Sequence, residues 1–267
     1  MLRIDCAGSH IIVSGVKDFD LAATLTCGQC FRWAFVDGAW QGVANGRFVR
    51  IKQEEKTLIF EDAPLEQVEK IWLPYFDLHR DYGAICDTLS QQHKPLADII
   101  KKHNNGIRIL QQEPWEALCS FIVSQNNNIP RITKCIDRLC TEFGAAGAFP
   151  TPQTLAGADL SQCGLGYRAG YINDAAKKIC DNLLNLEELR TIPLPQAREK
   201  LLQIKGVGPK VAECALLFGL HRLDAFPQDV WIIRGMAKYF PGQTHEIFGE
   251  YAGVAQQYLY VLTREKA

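Results

Sequence analysis

The stretch Gly206-Val207-Gly208-Pro209-Lys210-Val211-Ala212-Glu213-Cys214, followed by Pro227-Gln228-Asp229, constrains this chain more than any other. Two glycines flanking one apolar residue form a hairpin that leads directly into a helix. They leave backbone N–H groups uncovered at a helix N-terminus, a favourable place for a phosphate. Lys210 falls in the first turn, at the positive end of the helix dipole, and a lysine that sheds its proton easily is a nucleophile. Asp229, 19 residues further on, adds a carboxylate. Each part also has a plainer local reading. A Gly-x-Gly before a helix is in itself a tight turn, and Lys210 is by default a solvated surface lysine. Asp229 directly precedes the apolar run Val230-Trp231-Ile232-Ile233, where a helix N-cap is expected.

Taken whole, the pattern Leu-x-x-Ile-Lys-Gly-Val-Gly-Pro-Lys-Val-Ala with a downstream Pro-x-Asp resembles the helix-hairpin-helix glycosylase superfamily of base-excision DNA repair, in its lysine-bearing, bifunctional branch. Four other segments narrow the resemblance to the 8-oxoguanine DNA glycosylases. Gly28-Gln29-Cys30-Phe31-Arg32-Trp33 is similar to that family's Gly-Gln-x-Phe-Arg-Trp segment. Ser124-Gln125-Asn126-Asn127-Asn128-Ile129-Pro130-Arg131 is similar to its asparagine run followed by arginine. Leu165-Gly166-Tyr167-Arg168-Ala169 and Tyr251-Ala252-Gly253-Val254-Ala255-Gln256 match as well, so five separated segments in the family's order span nearly the whole chain.

The resemblance implies roles. Lys210 and Asp229 are the expected catalytic pair. Lys210 and Cys214 stand at i and i+4, on one helical face, and Gln256 and Tyr260 repeat that relation on the last helix. The family places the extruded base between a cysteine and an aromatic at these positions, here Cys214 and Tyr260, with Gln256 reading its Watson–Crick edge. Locally, the favoured reading of Cys214 and Tyr260 is as ordinary core residues. Tyr260 stands where relatives have phenylalanine, which retains stacking. The resemblance gives Gly28 the discrimination of the lesion: a backbone C=O brought close by the missing side chain accepts the N7–H that only the oxidised base carries. The local alternative is a strand-start glycine.

A base shielded in a duplex must be flipped out before it is excised. By resemblance, Asn126 fills the vacated space, Tyr167 wedges beside it, and Arg131 and Arg168 read the orphaned cytosine. The asparagine run alone reads as a helix terminus or loop. Gly206, Val207 and Gly208 are expected to hold a phosphate through N–H groups, and the hairpin carbonyls could hold a monovalent cation. Trp231 replaces a histidine found in some relatives two residues after the aspartate.

Periodicity supplies the architecture. Residues 9–61 read as antiparallel strands: His10 to Val13, Phe31 to Val36, Ala39 to Ala44, Arg47 to Lys52 and Thr57 to Phe60, with hairpin turns at Asp37-Gly38 and Asn45-Gly46. From Leu65 the period turns helical. Pro114 and Pro195 are placed to open helices, the latter ending at Lys205, and another helix begins near Pro130. The fold class is α+β: a small N-terminal antiparallel β domain (1–64), helices joining the C-terminal lobe (65–112), a central helical lobe (113–200), and the hairpin and aspartate lobe (201–267).

Composition alone does not announce a nucleic-acid partner, since the net charge is −1. A basic surface must be local, and its candidates are Arg108, Arg131, Arg168, Lys205 and Lys210. Ten scattered cysteines, with no signal peptide or membrane-length apolar run, point to a reducing cytoplasm, nucleoid-associated if prokaryotic. Cys27-Gly28-Gln29-Cys30 has no second pair or histidine at zinc-ligand spacing, and no metal centre or other cofactor is expected. The expected partner is double-stranded DNA containing 8-oxoguanine, bound by a monomer, with no membrane. The expected chemistry is excision of 8-oxoguanine, preferably opposite cytosine, through a lysine Schiff base and then β-elimination. A glycosylase for another damaged purine and a non-catalytic damaged-DNA binding module are the alternatives; the presence of both Lys210 and Asp229 argues against the latter.

Overall fold

The computed structural model describes residues 2–265. Six antiparallel strands make one sheet in the order β1-β2-β6-β5-β4-β3. They are β1 (Arg3–Ala7), β2 (His10–Ser14), β3 (Trp33–Val36), β4 (Ala39–Ala44), β5 (Arg47–Glu54) and β6 (Thr57–Glu61). The Asp37-Gly38 and Asn45-Gly46 pairs all take positive φ, the geometry that two-residue turns between right-twisted strands require.

Three details of the sheet domain depart from the sequence reading. β1 lies outside the expected strands because it is an edge strand, largely exposed, with no inward apolar alternation to reveal it. A helix, Leu21–Thr26, interrupts the strands, opened by Asp20, whose side chain accepts the Ala23 N–H at 2.9 Å. β3 begins at Trp33 rather than Phe31, because Phe31 turns into the helical core, 5.6 Å from Phe121 between ring centroids.

Two apolar cores result. Val13, Ile51, Leu58 and Phe60 from the sheet pack against Val68, Trp72 and Phe76 of the helical segment that follows it. The remaining helices enclose a larger core that includes Leu118, Ile136, Ile172, Leu216 and Leu259. Full burial of each such side chain contributes about 1.5–3 kcal/mol. Arg108 is inside, not on a basic surface as its charge suggested. Its guanidinium donates to the carbonyls of Lys17, Asp18, Asp77 and Arg80, which tie residues from both sides of the sheet domain to the start of the helical region.

The helices that build the site are Pro114–Ser124, Ile129–Phe143, Arg168–Cys180, Leu194–Leu202, Pro209–Cys214, Val230–Tyr239 and Ala252–Glu265. The helix containing Pro195 stops at Leu202, short of the expected Lys205. The chain needs those residues for the hairpin: the Ile204 N–H bonds back to Leu201, and the Val207 N–H to Ile204. Gly206 has φ +76°, and a Cβ on it would lie 2.1 Å from the Tyr171 ring, so only glycine fits there. A Cβ on Gly208 would meet nothing within 4 Å, so the bare side of the hairpin faces open space.

Candidate active site

A cleft of about 610 Å³ gathers Lys210, Asp229, Gly28, Cys214, Gln256 and Tyr260. These residues come from the hairpin helix, the cap of the next helix, the loop between Leu21–Thr26 and β3, and the final helix. Asn126, Gly208 and Trp231 also line it, whereas Arg131, Tyr167, Arg168, Gly206 and Val207 do not. A larger open groove, of about 1350 Å³, runs along Phe19, Trp40, Lys52 and Lys101 and holds none of the expected site residues.

Lys210 stands on the second residue of its helix, where Gly208 provides no side-chain cap. Its Nζ donates to Ser124 Oγ at 3.4 Å and lies 5.2 Å from the Phe121 ring centroid. The amine is therefore directed into the cleft by Pro114–Ser124, a helix packed against its own. Cys214, one turn on, is buried, and that burial pushes its thiol up to about 11 against the opposing pull of Lys210. At neutral pH it is an uncharged, polarizable wall.

Asp229 is a helix cap that also lines the cleft. It caps Val230–Tyr239, its Oδ1 accepting the N–H groups of Trp231 and Ile232 at 2.9 Å each. One oxygen thus locks the side chain and leaves the other to the cleft. Tyr260 forms the far wall. Burial raises its phenol, whose oxygen accepts from Arg264 at 3.1 Å. Gly28 lies against this ring, with φ +86°, in a loop rather than at the start of a strand. The neighbouring Gln29 is fully buried and fixes that loop: it donates to Thr24 O and Arg108 O and accepts the Leu110 N–H.

Gln256 is 4% exposed and donates through Nε2 to Pro227 O at 3.2 Å. Asn126 is exposed, with φ 46°, and donates to the hydroxyl of Tyr167, itself 52% exposed, at 3.4 Å. The next two asparagines have the local roles the run suggested: Asn127 bonds to Val123 O, and Asn128 caps Ile129–Phe143 by accepting the Arg131 N–H.

Two of the residues expected to meet DNA are engaged within the protein. Arg168 is 5% exposed. Its guanidinium donates to the carbonyls of Gln125, Asn126 and Leu165, so it buttresses the Asn126 loop from beneath. The Val207 N–H is committed to Ile204 O inside the hairpin, and its side chain is buried. Arg131 remains exposed. Ser124, Phe121, Gln29 and Pro227 complete the site without having been singled out. Ser124, Gln29 and Pro227 lie within segments quoted above, but their bonding became visible only in three dimensions. Among the described residues no cluster of three or more His, Cys, Asp or Glu side chains is arranged to hold a metal ion, and no helix is long and apolar enough to cross a membrane.

Known proteins share this fold. Residues 11–118 match the family model described as 8-oxoguanine DNA glycosylase, N-terminal domain, and residues 119–247 match HhH-GPD superfamily base excision DNA repair protein. A probable N-glycosylase/DNA lyase of Methanothermobacter thermautotrophicus is 30% identical, across 92% of this chain and 93% of the relative. The solved structure of MBOgg1 with a low-affinity DNA ligand superposes with a TM-score of 0.92 at 42% identity, covering 100% of this chain and 99% of that one. Clostridium acetobutylicum 8-oxoguanine glycosylase/lyase, solved with DNA containing cytosine opposite 8-oxoguanine, gives 0.90 at 33% identity, covering 100% and 98%. Sequence and fold thus agree over essentially the full length, and the chain belongs to the 8-oxoguanine DNA glycosylase family of the HhH-GPD superfamily.

Proposed function

We propose that this chain excises 8-oxoguanine from double-stranded DNA and then cleaves the strand at the resulting site. The observation that carries this reading is the convergence of Lys210, Asp229 and the base-holding residues Gly28, Cys214, Gln256 and Tyr260 on one cleft. An amine nucleophile, a carboxylate and a slot between a thiol and an aromatic ring are the parts needed to hold a flipped base and displace it.

The neutral Lys210 amine attacks C1′ of the sugar. The N-glycosidic bond breaks, its electron pair leaves with the base, and the base takes up a proton. Asp229, its carboxylate held by two backbone N–H groups, stabilises the cationic sugar and accepts the proton lost by the attacking amine. Ring opening gives a Schiff base between Lys210 and C1′. That iminium makes the C2′ proton acidic, and its loss expels the 3′ phosphate by β-elimination.

Asn126 enters the space left by the flipped nucleotide, with Tyr167 wedged beside it. Arg131 donates to the O2 and N3 acceptors of an orphaned cytosine, which gives preference for that base. Arg168 holds the Asn126 loop in place for this contact. The bare Gly206 and Gly208 face and the uncapped first turn after it receive a phosphate.

The test is a duplex series with 8-oxoguanine opposite each of the four bases, beside an alkylated-purine duplex, scored separately for base release and strand cleavage. The reading requires both products, fastest opposite cytosine. Release of an alkylated purine without release of 8-oxoguanine would assign the scaffold to another lesion.

A further inference from the structure

Gln257, the residue after Gln256, is 2% exposed and lines the same cleft. Its Nε2 donates to Gln256 Oε1 at 2.7 Å, while its own Oε1 has no hydrogen-bond partner among the described residues. Gln256 in turn donates from Nε2 to Pro227 O.

The chain of bonds has only one sense. A backbone carbonyl can only accept, so the Gln256 amide must turn its NH₂ to Pro227 and its oxygen to Gln257. Gln257 must therefore spend its NH₂ on Gln256, which leaves its own oxygen uncommitted. A buried network that served stability alone would satisfy every member, because an unmade acceptor is costly. Here the pair instead keeps acceptor capacity: the second lone pair of Gln256 Oε1 and the oxygen of Gln257.

We infer that Gln257 is a positioning residue that fixes the amide of Gln256 with its acceptor toward the base and so selects bases whose Watson–Crick edge donates from N1. The inference rests on the proposed excision of 8-oxoguanine. A guanine edge offers N1–H and N2–H donors, whereas an adenine edge offers an N1 acceptor beside an N6–H donor. Pro227 also lines the cleft, so N–H groups of a bound base compete for its carbonyl. The bond between the helix neighbours Gln256 and Gln257 then still holds the amide.

The test compares 8-oxoguanine with 8-oxoadenine, each opposite cytosine. Both carry N7–H and O8, so they differ only on the edge that Gln256 faces. Single-turnover excision is measured for wild type and for Gln257→Met and Gln257→Leu, neither of which has a donor. Borohydride trapping on an abasic duplex, which has no base to read, reports the integrity of the fold and of Lys210. Expected is a fall of about tenfold in the 8-oxoguanine to 8-oxoadenine ratio in both variants, with abasic trapping retained. An unchanged ratio in both, or a parallel loss on all three duplexes, overturns the inference and leaves the excision reading intact. Failure of the wild type to excise 8-oxoguanine overturns that reading and the inference with it.

Discussion

Gly28 lies against Tyr260: a Cβ built on the glycine would come within 3.4 Å of the tyrosine hydroxyl oxygen. That distance alone is an ordinary contact, so the restriction on Gly28 comes chiefly from its φ of +86°. Gly28→Ala is expected to lower stability by about 1–2 kcal/mol, the cost of a left-handed backbone for an L-residue. If the Gly28 backbone reads N7–H as the resemblance implies, the substitution should also weaken discrimination of 8-oxoguanine from guanine by displacing that backbone. Thermal melting and paired excision rates check the two effects, and melting unchanged in Gly28→Ala would contradict the strain argument.

Asp229 caps a helix and is proposed to act in the chemistry, and two substitutions separate the two roles. Asparagine retains an oxygen for the Trp231 and Ile232 N–H groups, so Asp229→Asn should stay within about 0.5 kcal/mol of wild type. Asp229→Ala should lose about 1 kcal/mol with its cap. Both should slow base release by about 100-fold or more, because neither carries the charge that faces the cationic sugar. Full activity in Asp229→Asn would reduce this residue to a cap.

The two arginines near the Asn126 loop should respond differently. Arg168→Ala leaves the carbonyls of Gln125, Asn126 and Leu165 without their donor and is expected to destabilise the fold by about 2–3 kcal/mol. Arg131→Ala removes an exposed side chain, so its melting point should hold while preference for cytosine opposite the lesion declines. Equal stability losses in the two would contradict this division.

Acid sensitivity has a defined source away from the cleft. Burial opposes ionisation of Asp77, but His221, with its Nε2 3.2 Å from the carboxylate, and Arg80 outweigh it and hold the carboxyl at about 2. A carboxyl depressed on folding contributes stability above its ordinary value and loses it as pH falls toward the folded one. Asp77→Asn should therefore cost about 2 kcal/mol at pH 7, and the gap from wild type should close between about pH 4 and pH 2. Urea melts across that range check it, and a gap independent of pH would assign the loss to packing.

Much of this was legible in the sequence because particular residues admit few alternatives. Asp37-Gly38 and Asn45-Gly46 can turn a hairpin where most pairs cannot, and their positive φ values follow. Gly206 could be read for the same reason. The edge strand Arg3–Ala7 could not, because an exposed edge carries no inward pattern. Arg108 and Arg168 show the limit for charge: sequence gives an arginine's charge but not whether carbonyls from distant segments close around it. Likewise Ser124 and Phe121 meet Lys210 only across the packing of two helices. Asp229 was assigned two competing roles from sequence, and the geometry accommodates both on one carboxylate.

The central claim is that Lys210 is the nucleophile for a flipped 8-oxoguanine, and borohydride trapping tests it most directly. Wild-type protein and Lys210→Gln are each incubated with borohydride and a duplex bearing one 8-oxoguanine opposite cytosine, beside an undamaged duplex. The account predicts a covalent protein–DNA adduct only for wild type on the damaged duplex, with Lys210→Gln still binding that duplex. An adduct of equal yield in Lys210→Gln, or none in wild type despite release of 8-oxoguanine, would contradict it.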